Sequence, residues 1–441
     1  MKKKLRTCIL LAGVMLVQVQ GWSQIGKTEI ARWQYGKNAA VSLTFDDGTI
    51  NQFTVALPIL NRLSLPATFF IITGQIPGSK YQGKFIGRPV EDIIAETAKI
   101  HTNSDNVFER ASAIGYVGYE NTMQFHTNAG ALYDEEGDGK YHEVYAIIDA
   151  AYRQVREGKL KKKINTGDNR SGVTWEQIRT FASQGHEFAS HTVTHPRLAI
   201  LDEPNLLYEI QKSQEEILNH LGPAHTFSAE GPYGTENQRV VNYMGKVYPA
   251  LRNRMPDPYL EELNRWNKMN PGESKRTYVQ WQRGATTKTP LPLMKSWVDT
   301  VAANNNNWLV LVFHGVDGIG YEALSHELLE EYFQYMKQHE DKLWIATFGD
   351  VTKYYRERIA SKASGKETNG VIHVTVSHSL DKEMYTLPLT LKTYIDDGWS
   401  AVFVKQGAHS KLINAEIDDQ GSYVMYQATP NIGPVEISKA N

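Results

Sequence analysis

The chain reads as an α/β protein: a (β/α) barrel, incomplete or distorted, followed by a small all-β sandwich. Three observations carry that expectation. Apolar, β-branched runs alternate with helix-like stretches from Ala39 to about Arg358. The first two runs, 39–45 and 66–72, flank a helical segment at 54–63, which is the pattern of a parallel βαβ unit. Beyond about residue 370 helical periodicity disappears, and short alternating strands take over. Seven or eight strands separated mostly by helices favour a barrel over an open doubly wound sheet, the second choice.

Taken in order, residues 1–23 have the layout of a secretory signal peptide, with Lys2, Lys3, Lys4 and Arg6 ahead of an apolar run from Cys8 to Val19 and a cleavage point after Ser23. About a dozen apolar residues fall short of the ~20 that a membrane span needs. An exported protein, periplasmic or secreted and with no transmembrane segment in the mature chain, is therefore expected. Cys8 is the single cysteine and would leave with the leader, so any metal must be held by His, Asp and Glu.

Residues 24–360 are read as one catalytic domain. Within it, 75–170 is an insertion in which only Val144–Leu160 looks helical. It contains Asp134–Lys140, which imitates the opening of a calcium loop, but Tyr145 stands where the bidentate Glu should be, so a solvated acidic turn is the preferred reading. Alternation resumes with helices at 175–184, 204–221, 291–303 and 322–339. Strands are expected at 186–190, 225–229, 250–252, 278–281, 308–313 and 343–348. Small polar residues at 360–370 resemble a linker, and 371–441 form the sandwich.

Three clusters fall at strand ends, where parallel barrels carry their working loops. The first is Thr44-Phe45-Asp46-Asp47-Gly48; adjacent carboxylates repel unless a cation or proton is shared, though a helix cap with a solvated neighbour is the plain alternative. The second, Gly185 to Pro196, carries His191 and His195 four apart. Two imidazoles and a carboxylate make a triad that leaves positions open for water and substrate. The third is the apolar run 308–313 ending in His314, which suits a general acid but also a satisfied core histidine.

Together the clusters resemble the NodB-homology polysaccharide deacetylases, carbohydrate esterase family 4. Thr44–Gly48 matches that family's TFDDG, His191-x-x-x-His195 its metal segment, and Leu311–His314 its terminal Leu-x-x-His. The resemblance implies that Asp47, His191 and His195 hold a divalent cation, zinc first, with cobalt, nickel, iron or manganese as alternatives. It also implies that Asp46 is the base, His314 the proton donor, and the Tyr233 backbone N–H part of the oxyanion site. The chain departs from the family at Glu230-Gly231-Pro232-Tyr233, where the arginine that steadies the catalytic aspartate is Glu230. Arg252, Arg254, Arg276 and Arg283 are the candidates to replace it.

The expected activity is hydrolytic removal of N- or O-acetyl groups from a polysaccharide or oligosaccharide. The rivals are an amidohydrolase on another substrate and a catalytically weak or inactive carbohydrate-binding protein. Forty-seven basic against 49 acidic residues, a net charge of −2, gives no reason to expect nucleic acid as partner. Trp175, Trp266 and Trp281 are read as packing residues rather than sugar platforms.

Overall fold

The computed structural model describes residues 24–136, 141–163, 172–234, 236–256, 259, 271 and 279–440. The leader and residues 137–140 of the Asp134–Lys140 segment lie outside them, as do Arg276 and Trp266. The chain divides into two compact units. One comprises Ala31–Ser361 with His378–Thr390; the other takes the N-terminal segment through Ile30 with Lys362–Ser377 and Leu391–Asn441.

Strand β1 (Thr28–Ile30) belongs to the second unit. The first unit is built on eight strands: β2 (Ala39–Asp47), β3 (Ala67–Ile71), β4 (Glu187–Ser190), β5 (Ser228–Ala229), β6 (Ala250–Leu251), β7 (Val279–Gly284), β8 (Asn307–Phe313) and β9 (Leu343–Ile345). Every pair is parallel, in the order β6-β5-β4-β3-β2-β8-β7, with β9 against the start of β2. This is a curled, incomplete (β/α) barrel. Its central strands are buried along almost their whole length, which is why they read as continuous apolar runs rather than alternating ones. Phe45, Phe69, Phe313, Leu309 and Leu311 meet Phe53, Trp297 and Phe333 from the helices in the main core. Between β6 and β7, side chains bridge the gap: Gln280 Nε2 donates to the Arg252 carbonyl at 2.6 Å and Gln282 Nε2 to Asn253 Oδ1 at 3.0 Å.

Where the sequence reading saw one helix in 75–170, the structure has four, at Val90–Glu96, Val107–Ile114, Thr122–Glu136 and Tyr141–Arg156. They share a core of their own formed by Ile93, Ala111, Ile114, Ala129, Ile148 and Tyr152. Their apolar residues are sparse because each helix packs only a narrow stripe on its neighbours, so the amphipathic signal is diluted by Tyr, Gly and charge.

The second unit has two antiparallel sheets. To β1 it adds β10 (Lys362–Thr368), β11 (Val371–Ser377), β12 (Leu389–Tyr394), β13 (Ala401–Gln406), β14 (His409–Asn414), β15 (Glu416–Asp418), β16 (Gly421–Ala428) and β17 (Val435–Lys439), ordered β1-β12-β16-β15 and β10-β11-β17-β13-β14. Ile372, Val374 and Val376 alternate with exposed residues along β11, as one-face burial requires. The stretch read as a linker is the edge strand β10: both of its faces are largely exposed, so its polar composition carries no strand signal.

Candidate active site

Strand register brings the sequence clusters together. Asp47, Ile71 and Ser190 are successive partners across β2, β3 and β4, Ser190 pairs Ala229, and Ala229 pairs Leu251. The residues that follow, His191, Glu230 and Arg252, therefore stand in one row at the carboxyl edge. On the other side of β2, Phe45 pairs Phe313, which sets His314 level with Asp46. Asp47, Thr192, His195 and Tyr233 all have φ between 62° and 75°. A left-handed backbone costs a non-glycine residue about 1–2 kcal/mol, and such conformations persist where surrounding contacts over-determine them.

Asp46 and Asp47 point into different environments. Asp46 is buried, and its two oxygens take a fork from Arg252, Nη1–Oδ1 at 2.5 Å and Nη2–Oδ2 at 2.6 Å. Arg252 Nη1 also donates to Thr44 Oγ1 at 3.0 Å, and its guanidinium lies 4.9 Å above the Phe70 ring. His314 Nε2 approaches Asp46 Oδ2 at 3.4 Å. Burial would raise the Asp46 carboxyl, but the charge and hydrogen bonds of Arg252, with His314, outweigh it and hold the acid well below the usual range. Behind them Gln52, in a π-helical turn at Gln52–Ala56, donates to the carbonyls of both Asp46 and His314 and ties the two strand ends together.

Asp47 faces the histidines. Its Oδ1 lies 3.5 Å from His191 Nε2 and 3.4 Å from His195 Nε2, and one donor atom from each residue falls within 4.8 Å of the others. A carboxylate and two imidazoles at that spacing fit a divalent cation with open positions. Burial, with the neighbouring His191, pushes the His195 imidazole down to about 4, so it is neutral at neutral pH, the form a metal ligand needs. Asp47 is held low chiefly because its contacts with His191 outweigh the effect of burial.

The loop carrying both histidines is shaped from behind. Glu209, buried in the helix Glu203–Leu221, accepts from Val193 N at 2.9 Å, Thr194 N at 2.8 Å and Thr194 Oγ1 at 2.6 Å. Gly74 N donates to Val193 O at 2.9 Å; a Cβ at Gly74 would lie 2.5 Å from that oxygen, so only glycine allows the approach. Glu230, the departure from the family pattern, sits against His191: Oε2 is 2.6 Å from Nδ1, and the Glu230 carbonyl is 3.1 Å from the same nitrogen.

All six expected site residues converge. Tyr233 is 40% exposed, its ring 4.6 Å edge-on to His195 and under the Arg197 guanidinium at 4.2 Å. Of the arginines considered, Arg252 meets Asp46, while Arg254 donates to Gln238 and Arg283 stacks on Trp281. Trp175 and Trp281 are buried. Glu209, Gln52 and Asn253 escaped the sequence reading; an acid at helical spacing with Leu206, Ile210 and Ile217, as Glu209 is, was the one available signal.

Residues 34–113 and 137–248 match the polysaccharide deacetylase family. Over those residues the chain is similar to that family. A gellan lyase from a Bacillus species is 23% identical over 277 residues, a match covering 59% of this chain and 11% of that much longer protein. Among solved structures, a Mycobacterium smegmatis chain assigned to the polysaccharide deacetylases is 15% identical, with 74% of this chain and 93% of that one covered and a TM-score of 0.38. A family 4 carbohydrate esterase from Streptomyces lividans is 14% identical, with 70% and 92% covered and a TM-score of 0.31.

Proposed function

We propose that the chain is a metal-dependent hydrolase that removes acetyl groups, as amides or esters, from a polysaccharide or oligosaccharide. The observation that carries this reading is the division of labour in the Asp46-Asp47 pair: Asp47 lies with His191 and His195, while Asp46 is clamped by Arg252 beside His314. A cation on Asp47, His191 and His195, zinc first, would supply Lewis acidity toward an acetyl carbonyl and acidify water.

The chain's own residues do the rest. Asp46, kept ionised and oriented by two hydrogen bonds, accepts the proton of the attacking water. His314, partly exposed and 3.4 Å from Asp46, donates a proton to the departing amine or alkoxide. The Tyr233 backbone N–H serves the developing oxyanion. Arg252 supplies the contact to Asp46 that an arginine at position 230 would have supplied, which supports an active enzyme over an inactive binding protein. Export, expected from the leader-like N-terminus, suits a glycan substrate outside the cytoplasm; among the described residues no helix is long and apolar enough to cross a membrane.

The test is acetate release from N-acetylglucosamine oligomers and acetylated xylan, by the wild type and by Asp46→Asn. Release that Asp46→Asn lowers by about 100-fold or more supports the reading and identifies the linkage. Absence of release from either substrate class, with metal supplied, would count against it.

A further inference from the structure

We infer that Glu230 is a positioning residue for the metal centre: it fixes the tautomer and tilt of His191 and links that ligand to the arginine that holds Asp46. This rests on the metal-site reading above.

The argument begins with His191 Nδ1. It faces two oxygens, the Glu230 carboxylate at 2.6 Å and the Glu230 carbonyl at 3.1 Å, and both accept only. Nδ1 therefore carries a proton, and Nε2, the atom 3.5 Å from Asp47 Oδ1, is the nitrogen that would turn a lone pair to a cation bound there. Glu230 cannot readily turn away. Its backbone N donates to Ser190 O at 3.0 Å, continuing the β4–β5 ladder, and its Oε1 accepts from Asn253 Nδ2 and lies 3.3 Å from Arg252 Nη2. Asn253 is in turn held by Gln282. The buried carboxylate thus has Asn253 and Arg252 at Oε1 and the His191 ring 2.6 Å from Oε2, close to the groups that compensate a buried charge.

The order of contacts is His191, Glu230, Arg252, Asp46. A glutamate where the family has arginine is then a transposition rather than a loss. The guanidinium arrives from the end of β6, and the position it vacates takes over a metal ligand. An arginine at 230 keeps the backbone carbonyl but offers no side-chain acceptor to His191 Nδ1–H, so one of the two contacts that set the tilt of the imidazole is lost.

The experiment measures Zn2+ affinity of metal-stripped full-length chain by competition with a chromophoric chelator, and the visible absorption of the Co2+-loaded chain. Both are compared for wild type, Glu230→Gln, Glu230→Asp and Arg252→Lys, with thermal melts as a check on folding. The inference predicts Zn2+ binding 10–100-fold weaker in Glu230→Gln, with an altered Co2+ spectrum, partial recovery in Glu230→Asp, and an affinity within about threefold of wild type in Arg252→Lys. Folded Glu230→Gln with wild-type affinity and spectrum overturns this inference alone. Failure of the wild type to bind Zn2+ or Co2+ overturns the metal reading and the inference with it.

Discussion

Among the described residues three sets of His, Asp and Glu lie close enough to hold a cation; one, Asp46, His191 and Glu230, overlaps the candidate centre, and the two that are separate in space differ in their surroundings. Asp47, His191 and His195 come from the ends of β2 and β4, which flank β3, and are largely buried; Asp317, His326 and Glu327 lie at one helix start and the loop before it and are half-exposed to exposed. In the second group Asp317 already has an occupation: its Oδ1 accepts from His326 N and its Oδ2 from the ring at 2.9 Å each, so it ties the start of the helix His326–Gln338 to the preceding loop. In the first group the supporting contacts come from other residues. Glu230 orients His191, Glu209 clasps the loop between the histidines, and Arg252 draws the adjacent Asp46 away from Asp47. Spacing alone does not distinguish the two. The supporting contacts and the burial do.

The largest expected effect lies inside the first group. Asp46→Asn should lower kcat by about 10²–10⁴-fold while leaving Zn2+ content near wild type, since Asp46 is committed to Arg252 rather than to the ligand set. Arg252→Met strands a buried carboxylate, and loss of one partner of a buried pair costs about 3–5 kcal/mol. Chemical denaturation should register that loss, with kcat falling alongside it. Glu209→Ala removes three hydrogen bonds from the histidine loop; Zn2+ affinity should drop by about tenfold or more, with stability lower by about 1–3 kcal/mol. At the small end, His326→Ala should change neither Zn2+ stoichiometry nor activity, and should alter stability by less than about 1 kcal/mol. Loss of bound Zn2+ in that variant would break the comparison.

Burial without a strong cationic partner has the opposite electrostatic outcome, and Glu357 shows it. Its side chain is fully buried, accepts from Leu387 N, and burial pushes it up to about 7 from an ordinary 4.5. A raised carboxyl pKa means that the folded chain retains a proton which the unfolded chain releases. The contribution is present in full below about 4.5 and is lost as pH rises through about 7. Glu357→Gln should therefore flatten the fall in stability across that window, as read by denaturant midpoints at a series of pH values. Asp46, equally buried but forked by Arg252, goes the other way.

The contrast between the two groups also marks what was legible in the sequence. The barrel strands were, because parallel strands buried on both faces must be apolar from end to end, and the acidic pair and histidines interrupt those runs where the strands stop. The insertion was not, because its helices bury narrow stripes against each other. Nor was β10, whose residues face solvent on both sides. Within the site, the identity of the Asp46 partner was confined to four arginines and no further. Choosing among them takes the register of β5 against β6, which pairs Ala229 with Leu251 and so sets Arg252 level with Glu230. The role of Glu230 was opaque for the same reason: its meaning lies in a contact with His191, 39 residues away in sequence.

One titration bears most directly on the central claim. Metal-stripped protein receives Zn2+ or Co2+ in steps, with acetate release from N-acetylglucosamine oligomers and acetylated xylan measured at each step, for wild type, Asp47→Asn and His326→Ala. The account predicts that wild type and His326→Ala gain activity up to about one equivalent of metal and then level off, while Asp47→Asn stays inactive. Activity that survives complete metal removal, or that Asp47→Asn regains at the same stoichiometry, would contradict it.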